Sequence, residues 1–434
     1  MKKSLFLILF TLTAIISYAQ DGEPKEISLT PSERELVTSN NDFAFNLFRK
    51  AHDEKSQVLS PLSITYVLSM LKNGVTGLSK EEINNVLGFA NASDEEINVL
   101  CKKLVDGMNT LDNQTKVVSS NGIFVNYGYK VKDAFAEMAD SYYSVVPETL
   151  DFFDAGTLDY INKWASDHTE DMIKEVLTED EFNPLAASYL LNALYFRGDW
   201  THHFDKSKTR PMDFDKGKAT ADMMFQESDF YYFENELYQS IMLPYGNMAF
   251  QMTVFLPQKG KSIDDVLASL DGSNWLSNHY DAAHVKLSFP RFEATTNIRL
   301  NDIMASLGMP RVFAYDEITE FCDAALHIGL MKQASKIRVD EEGTEAAAVT
   351  VVETRKGMSN VDFEANRPFL YIINEQSTGS ILFIGQYCGE TTANITNATT
   401  TQYKTDAIYN LAGQRLMTVP EHGIYIKNGK KISR

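Results

Sequence analysis

The sequence predicts an α+β fold, with helices in the first half of the chain and strands in the second. Apolar residues recur at helical spacing up to about residue 176, and nearly continuous apolar runs follow from Tyr189. The two patterns do not alternate as they would in a βαβ repeat, and no internal repeat is present. The 434 residues, 44% hydrophobic and 23% charged, suffice for one large domain or two medium ones.

The N-terminus has the pattern of a secretory signal peptide over residues 1–19. Lys2 and Lys3 are followed by an apolar run from Leu5 to Ile16, which is too short for a comfortable membrane span. Small residues then precede a cleavage position after Ala19. We therefore expect a secreted protein, extracellular or periplasmic, with an uncleaved anchor helix as the alternative.

The next residues, 20–35, are polar and carry Pro24 and Pro31, which predicts a leader with little structure before a globular region that begins near Leu36. Helices are predicted over Asn41–Ala51 and from Ser60, which can cap a helix that starts at Pro61. Two further helices are predicted over Val131–Tyr143 and Tyr160–Val176.

Strand signals dominate from Tyr189 onward. The run from Tyr189 to Phe196 suits a strand buried on both faces, and Ala249–Leu256 has a similar composition. Val285–Phe289 alternates and is expected to end before Pro290. Phe369–Ile373 and Ser380–Ile384 form a predicted hairpin.

The last part of the chain changes character. Residues 391–402 form a polar, threonine-rich linker. Residues 403–434 predict a small β module, in which Asn428-Gly429 favours a tight hairpin turn. A module of this size is too small to fold strongly alone.

Charge and cysteine content exclude several classes of protein. The formal net charge of −19 argues against nucleic acid and anionic membranes as partners. Three cysteines, Cys101, Cys322 and Cys388, are not a disulfide framework, although one pair could form and the sequence does not decide which.

The usual signatures of an enzyme are missing from the sequence. It has no Gly-x-Ser-x-Gly elbow, no His-Glu-x-x-His pair and no phosphate-binding loop. His202 and His203 are adjacent, so on a strand they would point to opposite faces and chelate a metal poorly. We therefore expect no cofactor and no metal, and a secreted hydrolase is disfavoured.

Residues 340–362 do not fit an ordinary element. If the segment after Gly343 were extended, one face would carry only the small residues Thr344, Ala346, Ala348 and Thr350. Such a strand can enter a packed sheet without overpacking it. The following residues, 353–360, are polar, basic and glycine-containing, which is typical of an exposed, cleavable tip. An Ala-rich helix followed by a loop is the alternative.

Several motifs, in order along the chain, resemble those of the serpin family. Val58–Ile64 resembles the Ser-Pro-x-Ser motif, and Leu191–Trp200 resembles the Asn-Ala-x-Tyr-Phe-x-Gly-x-Trp signature. Phe363–Phe369 and Gly379–Gly385 resemble the C-terminal signature of the family. The resemblance covers roughly residues 36–390, nearly the whole chain before the linker.

The resemblance implies a serpin fold with three β-sheets, eight to nine helices and an exposed reactive-centre loop at about residues 341–362. It also implies a suicide-substrate inhibitor of serine proteases, and by extension of cysteine proteases, that traps the acyl-enzyme when the cleaved loop inserts into the central sheet. The alternative within the family is a non-inhibitory serpin that acts as a binding or chaperone-like protein. Bulky, charged or proline residues in the hinge would favour that alternative, and the inward-facing positions carry none.

Site roles follow from the same resemblance. The hinge, whose insertion decides between inhibitor and substrate, comprises Glu341, Gly343, Thr344, Glu345, Ala346, Ala347, Ala348, Val349 and Thr350. Ser60, Ser63 and Asn192 match the shutter beneath the opening sheet, and Trp200 matches the breach where the loop first enters. Gln333 stands where many family members have histidine, so a pH-sensitive shutter is in doubt.

The scissile bond has more than one candidate. Loop length by family comparison favours Gly357–Met358, whereas a trypsin-like pocket would select Lys356–Gly357, and we rank these two bonds equally. Met358–Ser359, suited to elastase-like or chymotrypsin-like enzymes, ranks behind them. The expected partners are therefore trypsin-like and elastase-like proteases, held in a covalent acyl complex by a monomer.

The tail carries a second resemblance. Tyr409–Arg415 and Gly423–Ile426 resemble C-terminal sorting elements of secreted proteins from Bacteroidetes-type bacteria, although residues 403–434 are shorter than a full sorting domain. The resemblance implies a bacterial secreted protein, and surface anchoring by the tail is a hypothesis.

Overall fold

The computed structural model describes residues 25–343 and 359–389, together with four short strands between residues 408 and 433. The chain divides into two compact units, residues 1–390 and 391–434. The predicted signal peptide (1–19) and linker (391–402) lie outside the described residues.

Eight α-helices lie within the described residues, all of them in the first unit. They are α1 (Pro31–Ala51), α2 (Pro61–Leu71), α3 (Gly77–Leu87), α4 (Asp94–Met108), α5 (Asp133–Tyr143), α6 (Thr157–Asp167), α7 (Ile263–Ser269) and α8 (Asn301–Leu307).

The strands of the first unit are β1 (Gln57–Leu59), β2 (Thr115–Asn126), β3 (Glu148–Leu150), β4 (Ser188–Gly198), β5 (Arg210–Phe214), β6 (Ala219–Glu234), β7 (Tyr238–Tyr245), β8 (Phe250–Pro257), β9 (Asp281–Arg299), β10 (Lys332–Val339), β11 (Ser359–Glu364), β12 (Phe369–Glu375) and β13 (Ile381–Tyr387). Most helices thus precede most strands, as the sequence predicts.

The first helix begins earlier than the predicted leader allows. α1 starts at Pro31 because Thr30 and Glu33 form a reciprocal capping box: the Glu33 amide donates to Thr30 Oγ1 at 3.2 Å, and the Thr30 amide donates to Glu33 Oε2 at 2.7 Å. Residues 31–35 are therefore helical rather than part of an unstructured leader, and Ile27 and Leu29 before them are already buried.

Two predicted element boundaries are wrong. α6 ends at Asp167 instead of continuing to Val176, because Glu170 and Asp171 adopt the left-handed region (φ 48° and 61°). β9 does not stop at Pro290 but passes through it to Arg299.

Ten strands form one sheet, in which eight follow the order β1-β13-β12-β8-β7-β6-β9-β10, while β5 pairs with β6 and β11 with β9 off this path. The long strand β9 pairs with two neighbours. Residues 281–291 pair antiparallel with β6, and Phe292–Arg299 pair antiparallel with β10. A separate three-stranded sheet has the order β3-β2-β4. The hairpin strands β12 and β13 and their neighbour β8 are buried along their whole length.

The second unit contains β14 (Ile408–Tyr409), β15 (Arg415–Leu416), β16 (Ile424–Lys427) and β17 (Lys430–Ser433). They form an antiparallel sheet in the order β15-β14-β16-β17. Lys427 pairs with Lys430 across the position of the predicted Asn-Gly turn.

The three cysteines are free: Cys101 and Cys322 are buried and Cys388 is half-buried. Among the described residues, every helix is too short or too polar to cross a membrane.

A buried amide joins α1 to the turn between β12 and β13. Asn41 Nδ2 donates to the Gly379 carbonyl at 2.9 Å, and the Ile381 amide donates to Asn41 Oδ1 at 3.2 Å. Asn41→Ala should lower the free energy of unfolding by about 3 kcal/mol, since two buried backbone groups lose their partners. Urea unfolding followed by circular dichroism measures the change.

Asn46→Ala on the same helix is the control, because Asn46 is exposed and accepts from Arg49 three residues on. We expect its effect to stay within about 0.5 kcal/mol. Equal losses in the two variants would contradict this role for Asn41.

Candidate functional site

The residues that lead into the predicted loop are tied to the end of β4. The Trp200 amide donates to the Glu342 carbonyl at 2.9 Å, and the Phe204 amide donates to the Glu341 carbonyl at 2.9 Å. Asp199 and Gly343 form an isolated antiparallel bridge. Residues 341–343 therefore lie against the end of β4.

Glu341 is a buried carboxylate, only 3% exposed, at this junction. Its Oε1 accepts a hydrogen bond from Thr209 Oγ1 at 2.7 Å and lies 3.6 Å from Arg291 Nη1. The next residue, Glu342, pairs with Lys206 on the surface. Charge pairs on both sides thus hold the start of the loop in position.

Gly343 occupies a site that admits only glycine. Its φ of +120° lies in the region that side chains rarely adopt. A Cβ there would lie 2.4 Å from the Trp200 amide nitrogen and 2.5 Å from the Gly198 carbonyl oxygen. The close approach of two backbones explains why the sequence has glycine at the beginning of the hinge.

Trp200 fills the top of this junction. It is 2% exposed and stacks on Tyr245, with ring centroids 4.3 Å apart and an interplanar angle of 13°. Its Nε1–H donates to the Asp340 carbonyl at 2.9 Å. The indole therefore links the end of β4 to the end of β10.

Several acidic groups lie close to this junction. Burial raises the pKa of the Asp199 carboxyl; His203 and Arg197 oppose that rise, whereas Glu342 and Asp112 add to it. Burial also raises the pKa of Asp340. Asp199 Oδ1 is buried without a hydrogen-bond partner, so its charge is poorly compensated.

The predicted shutter residues meet at the N-terminus of α2. Gln333 of β10 and Ser60 bond in both directions: the Ser60 amide donates to Gln333 Oε1 at 3.1 Å, and Gln333 Nε2 donates to the Ser60 carbonyl at 2.8 Å. Ser60 Oγ donates to the Leu382 carbonyl at 2.9 Å and caps α2 by accepting from the Ser63 amide at 3.4 Å. All three residues are buried. A neutral amide thus makes the contact that a histidine would make only in one protonation state.

A gap separates β4 from β10. Within the described residues, β4 pairs with β2 and β10 pairs with β9, but β4 and β10 do not pair with each other. Gly343 and Asp199 meet at one end, and residues 188–191 and 332–334 line one cavity of about 620 Å³ at the other. The two strands therefore run parallel on either side of an opening, which we call the β4–β10 gap, with α2 also lining the cavity.

The structure describes only some of the predicted site residues. It brings together Ser60, Ser63 and Gln333, and separately Trp200, Glu341 and Gly343. Asn192 lies in β4, opposite Asn121, but its side chain is outside the described residues. Hinge residues 344–350 and the scissile-bond candidates Lys356, Gly357 and Met358 also lie outside them.

The predicted loop is too long at its C-terminal end. β11 begins at Ser359 and pairs in parallel with β9, so residues 359–362 belong to a strand. Phe363 is fully buried, which fixes the register of β11.

Sequence reasoning missed the partners of the junction: Asp199, Tyr245, Arg291, Lys206 and Thr209. Glu341 and Thr209 are 132 residues apart in the chain, and no local pattern signals such a contact. The run of acidic residues 340–342 was the only available hint.

Among the described residues, the site thus combines an α+β domain, two parallel strands that do not pair with each other, and a segment tethered where the two strands approach at one end. The chain belongs to the serpin family, because the family profile, Serpin (serine protease inhibitor), matches residues 38–389. The predicted serpin fold, with three sheets and eight helices among the described residues, is confirmed.

Known relatives extend over the same region. Neuroserpin of Gallus gallus is 28% identical over 381 residues, which cover 84% of this chain and 93% of the relative. An uncharacterized serpin-like protein of Methanosarcina acetivorans is 30% identical over 376 residues, covering 82% and 88%. Tengpin, a thermophilic serpin in its native state, superposes with a TM-score of 0.74 at 26% identity and covers 84% of this chain and 96% of its own.

The raised pKa of Asp199 predicts a pH effect on stability. A carboxyl whose folded pKa lies above its unfolded value stabilises the fold most below the unfolded value, and this contribution is lost as pH rises through the folded value. Asp199→Asn should therefore raise the melting temperature at pH 7 to 8 and converge with the parent chain below about pH 4. Thermal melts across this range measure it.

Asp213→Asn, an exposed position on β5, serves as the matched control and should change the melting temperature equally little at every pH. A parallel shift of the Asp199 variant at all pH values would contradict the assignment.

Proposed function

We propose that this chain is a suicide-substrate inhibitor of serine proteases and acts as an inhibitor rather than a catalyst. The observation that carries the proposal is the β4–β10 gap with Gly343 tethered at its top. The residues next in sequence, Thr344–Thr350, have a small-residue face that such an opening can accept. Family membership supports the same activity.

Until the loop peptide bond is cut, the catalytic groups are those of the protease. The protease serine Oγ attacks the carbonyl carbon of the loop, forming an ester as the C–N bond breaks and the amine leaves with a proton from the protease histidine. The new C-terminal end of the cut segment then remains esterified to the protease. Insertion of that segment between β4 and β10 carries the protease away from the junction at Gly343 and distorts its oxyanion site, so that water no longer completes deacylation.

The barrier to premature insertion comes from the contacts at the two ends of the domain. The Glu341 and Glu342 ion pairs and the Trp200 bonds hold the junction, while the paired bonds of Ser60 and Gln333 hold β10 to α2. The intact chain is therefore a kinetically held state that relaxes after cleavage.

The scissile bond is proposed within Lys356–Ser359, which includes bonds suited to trypsin-like and elastase-like enzymes. Incubation with trypsin and with elastase should give a complex that survives SDS, and mass spectrometry of the released C-terminal fragment identifies the bond. Cleavage without a complex, and without a rise in melting temperature of the cut chain, would instead support a non-inhibitory serpin.

Thr344→Arg tests the hinge. Insertion would bury the arginine charge in the sheet at a cost of several kcal/mol, so complexes should disappear while cleavage proceeds at the parent rate. Thr344→Ser is the control and should keep full complex formation. Persistent complexes in the arginine variant, seen on denaturing gels, would refute the proposed insertion.

We propose further that the chain is exported and cleaved after Ala19, and that residues 403–434 keep it at the cell surface. Fractionation of cells that express the full chain or a chain truncated before residue 403 tests both points. Truncation should move the protein from the cell surface to the medium, and an unchanged location would exclude an anchoring role for the tail.

A further inference from the structure

The segment between α6 and β4, residues 168–187, lies over the lower half of the β4–β10 gap. Ile173, Val176, Leu177, Asp180 and Glu181 from this segment line the same cavity as the first residues of β4 and β10. We call residues 168–187 the cover segment. A strand that fills the gap to its lower end must pass beneath it.

Apolar packing attaches the cover segment to the β4 side of the gap. Leu177 is buried in a small core with Phe124 of β2 and Tyr189 of β4. Phe182 stacks on Tyr189 with ring centroids 5.6 Å apart, and the Asn183 amide donates to the Tyr189 hydroxyl at 2.7 Å. The segment also continues directly into β4 at Ser188, so it must move with that strand.

On the other side of the gap the attachment is partly ionic, beside Leu330, which precedes β10 and packs against the same small core. Within the described residues, the ion pairs that join the cover segment to β9 and β10 all use the Glu181 carboxylate, which binds Lys332 Nζ through Oε2 and lies 3.9 Å from Arg299 Nη2 through Oε1. The Lys332 side chain is 8% exposed and that of Glu181 is 18% exposed, so water screens the pair weakly.

The cations that Glu181 contacts are direct cross-strand neighbours, because Lys332 pairs with Arg299 in the β9–β10 ladder. Like charges placed opposite each other repel, and the Glu181 carboxylate offsets that repulsion. The hydrogen bond from Lys332 lowers the pKa of Glu181, which keeps the carboxylate ionised at neutral pH. The Thr178 amide and hydroxyl, both 3.2 Å from Oε2, hold the carboxylate in place.

We propose that Glu181 is a latch across the lower end of the β4–β10 gap, which must open before an incoming strand can fill the gap completely. The proposal rests on the insertion mechanism proposed above. Widening the gap separates β10 from β4, and Glu181 moves with β4 while Lys332 and Arg299 stay with β10 and β9. The ion pair therefore breaks when the strand arrives.

The position of Lys332 along β10 predicts that the latch opens late in strand insertion. Lys332 lies eleven residues before Gly343, so a strand that folds back at Gly343 reaches the level of Lys332 about eleven residues later, near Thr354. The upper part of the gap can fill with the latch closed. Opening of the latch then limits the last step, during which the protease either deacylates and escapes or is trapped.

Two acetylated peptides distinguish filling of the upper half of the gap from filling of its whole length. One has the sequence of residues 344–350 and fills only the upper half, and the other has the sequence of residues 344–355 and must pass the latch. Glu181→Gln in the full chain should speed annealing of the long peptide about tenfold, as expected for loss of a charge-assisted hydrogen bond, and leave the short peptide unchanged. Native gels with a fluorescent label on each peptide measure both rates.

Lys332→Met is the second variant and should act like Glu181→Gln. The double variant should be no faster than the faster single variant, because the two side chains form one contact. Glu170→Gln is the matched control: Glu170 ties the same cover segment to Lys116 of β2, on the β4 side of the gap, and its loss should change neither rate more than about twofold.

Three outcomes decide the proposal. Acceleration of the long peptide alone supports the latch, whereas equal effects on both peptides, or none, overturn it and leave the inhibitory function intact. If the parent chain anneals neither peptide and gains no thermal stability on cleavage, the proposed function fails and the latch fails with it.

Discussion

The domain is organised around two parallel strands, β4 and β10, that in the part of the chain described here bond to β2 and β9 but not to each other. Backbone amides and carbonyls along the edge of a strand need partners, so an opening between the edges of two strands leaves groups that another strand can pair with. In the proposed mechanism, the strand that enters the opening is the segment directly after Gly343. The contacts around the gap would then control when that segment enters.

In the proposed mechanism, control lies at the two ends of the gap, and each end uses different chemistry. At the top, two backbones approach closely at Gly343, and a buried indole and buried carboxylates surround them. At the lower end, the Gln333 side-chain amide bonds to the backbone amide and carbonyl of Ser60 and joins β10 to α2. At the same end, a carboxylate shared by two cations joins the cover segment to β9 and β10. The Gln333 contact is uncharged and does not depend on pH, whereas acidic groups make the junction at the top sensitive to pH.

The proposed mechanism requires a stable hydrophobic core and a metastable sheet to coexist in one domain. The strands β8, β12 and β13 are buried along their length and pair on both sides, so they form a rigid base that no step of the proposed mechanism disturbs. The strands that border the gap rest on this base through α2 and through the second half of β9. Strain can therefore be concentrated at the gap without weakening the fold as a whole.

The sequence by itself determined the α+β class, the family and the small-residue character of the hinge, because these depend on periodicity, on motifs in order and on side-chain size. It also identified Ser60, Ser63, Gln333, Trp200 and Gly343, since each lies within or beside a motif. The cap that starts α1 is a local signal carried by Thr30 and Glu33, whereas only the tertiary structure decided that α6 ends before Glu170 and that β11 begins at Ser359. The partners of Glu341 and of Glu181 were likewise decided in three dimensions, because Thr209, Arg291, Lys332 and Arg299 are brought to them across fifty or more residues of chain, and no pattern along one strand encodes a neighbour on another.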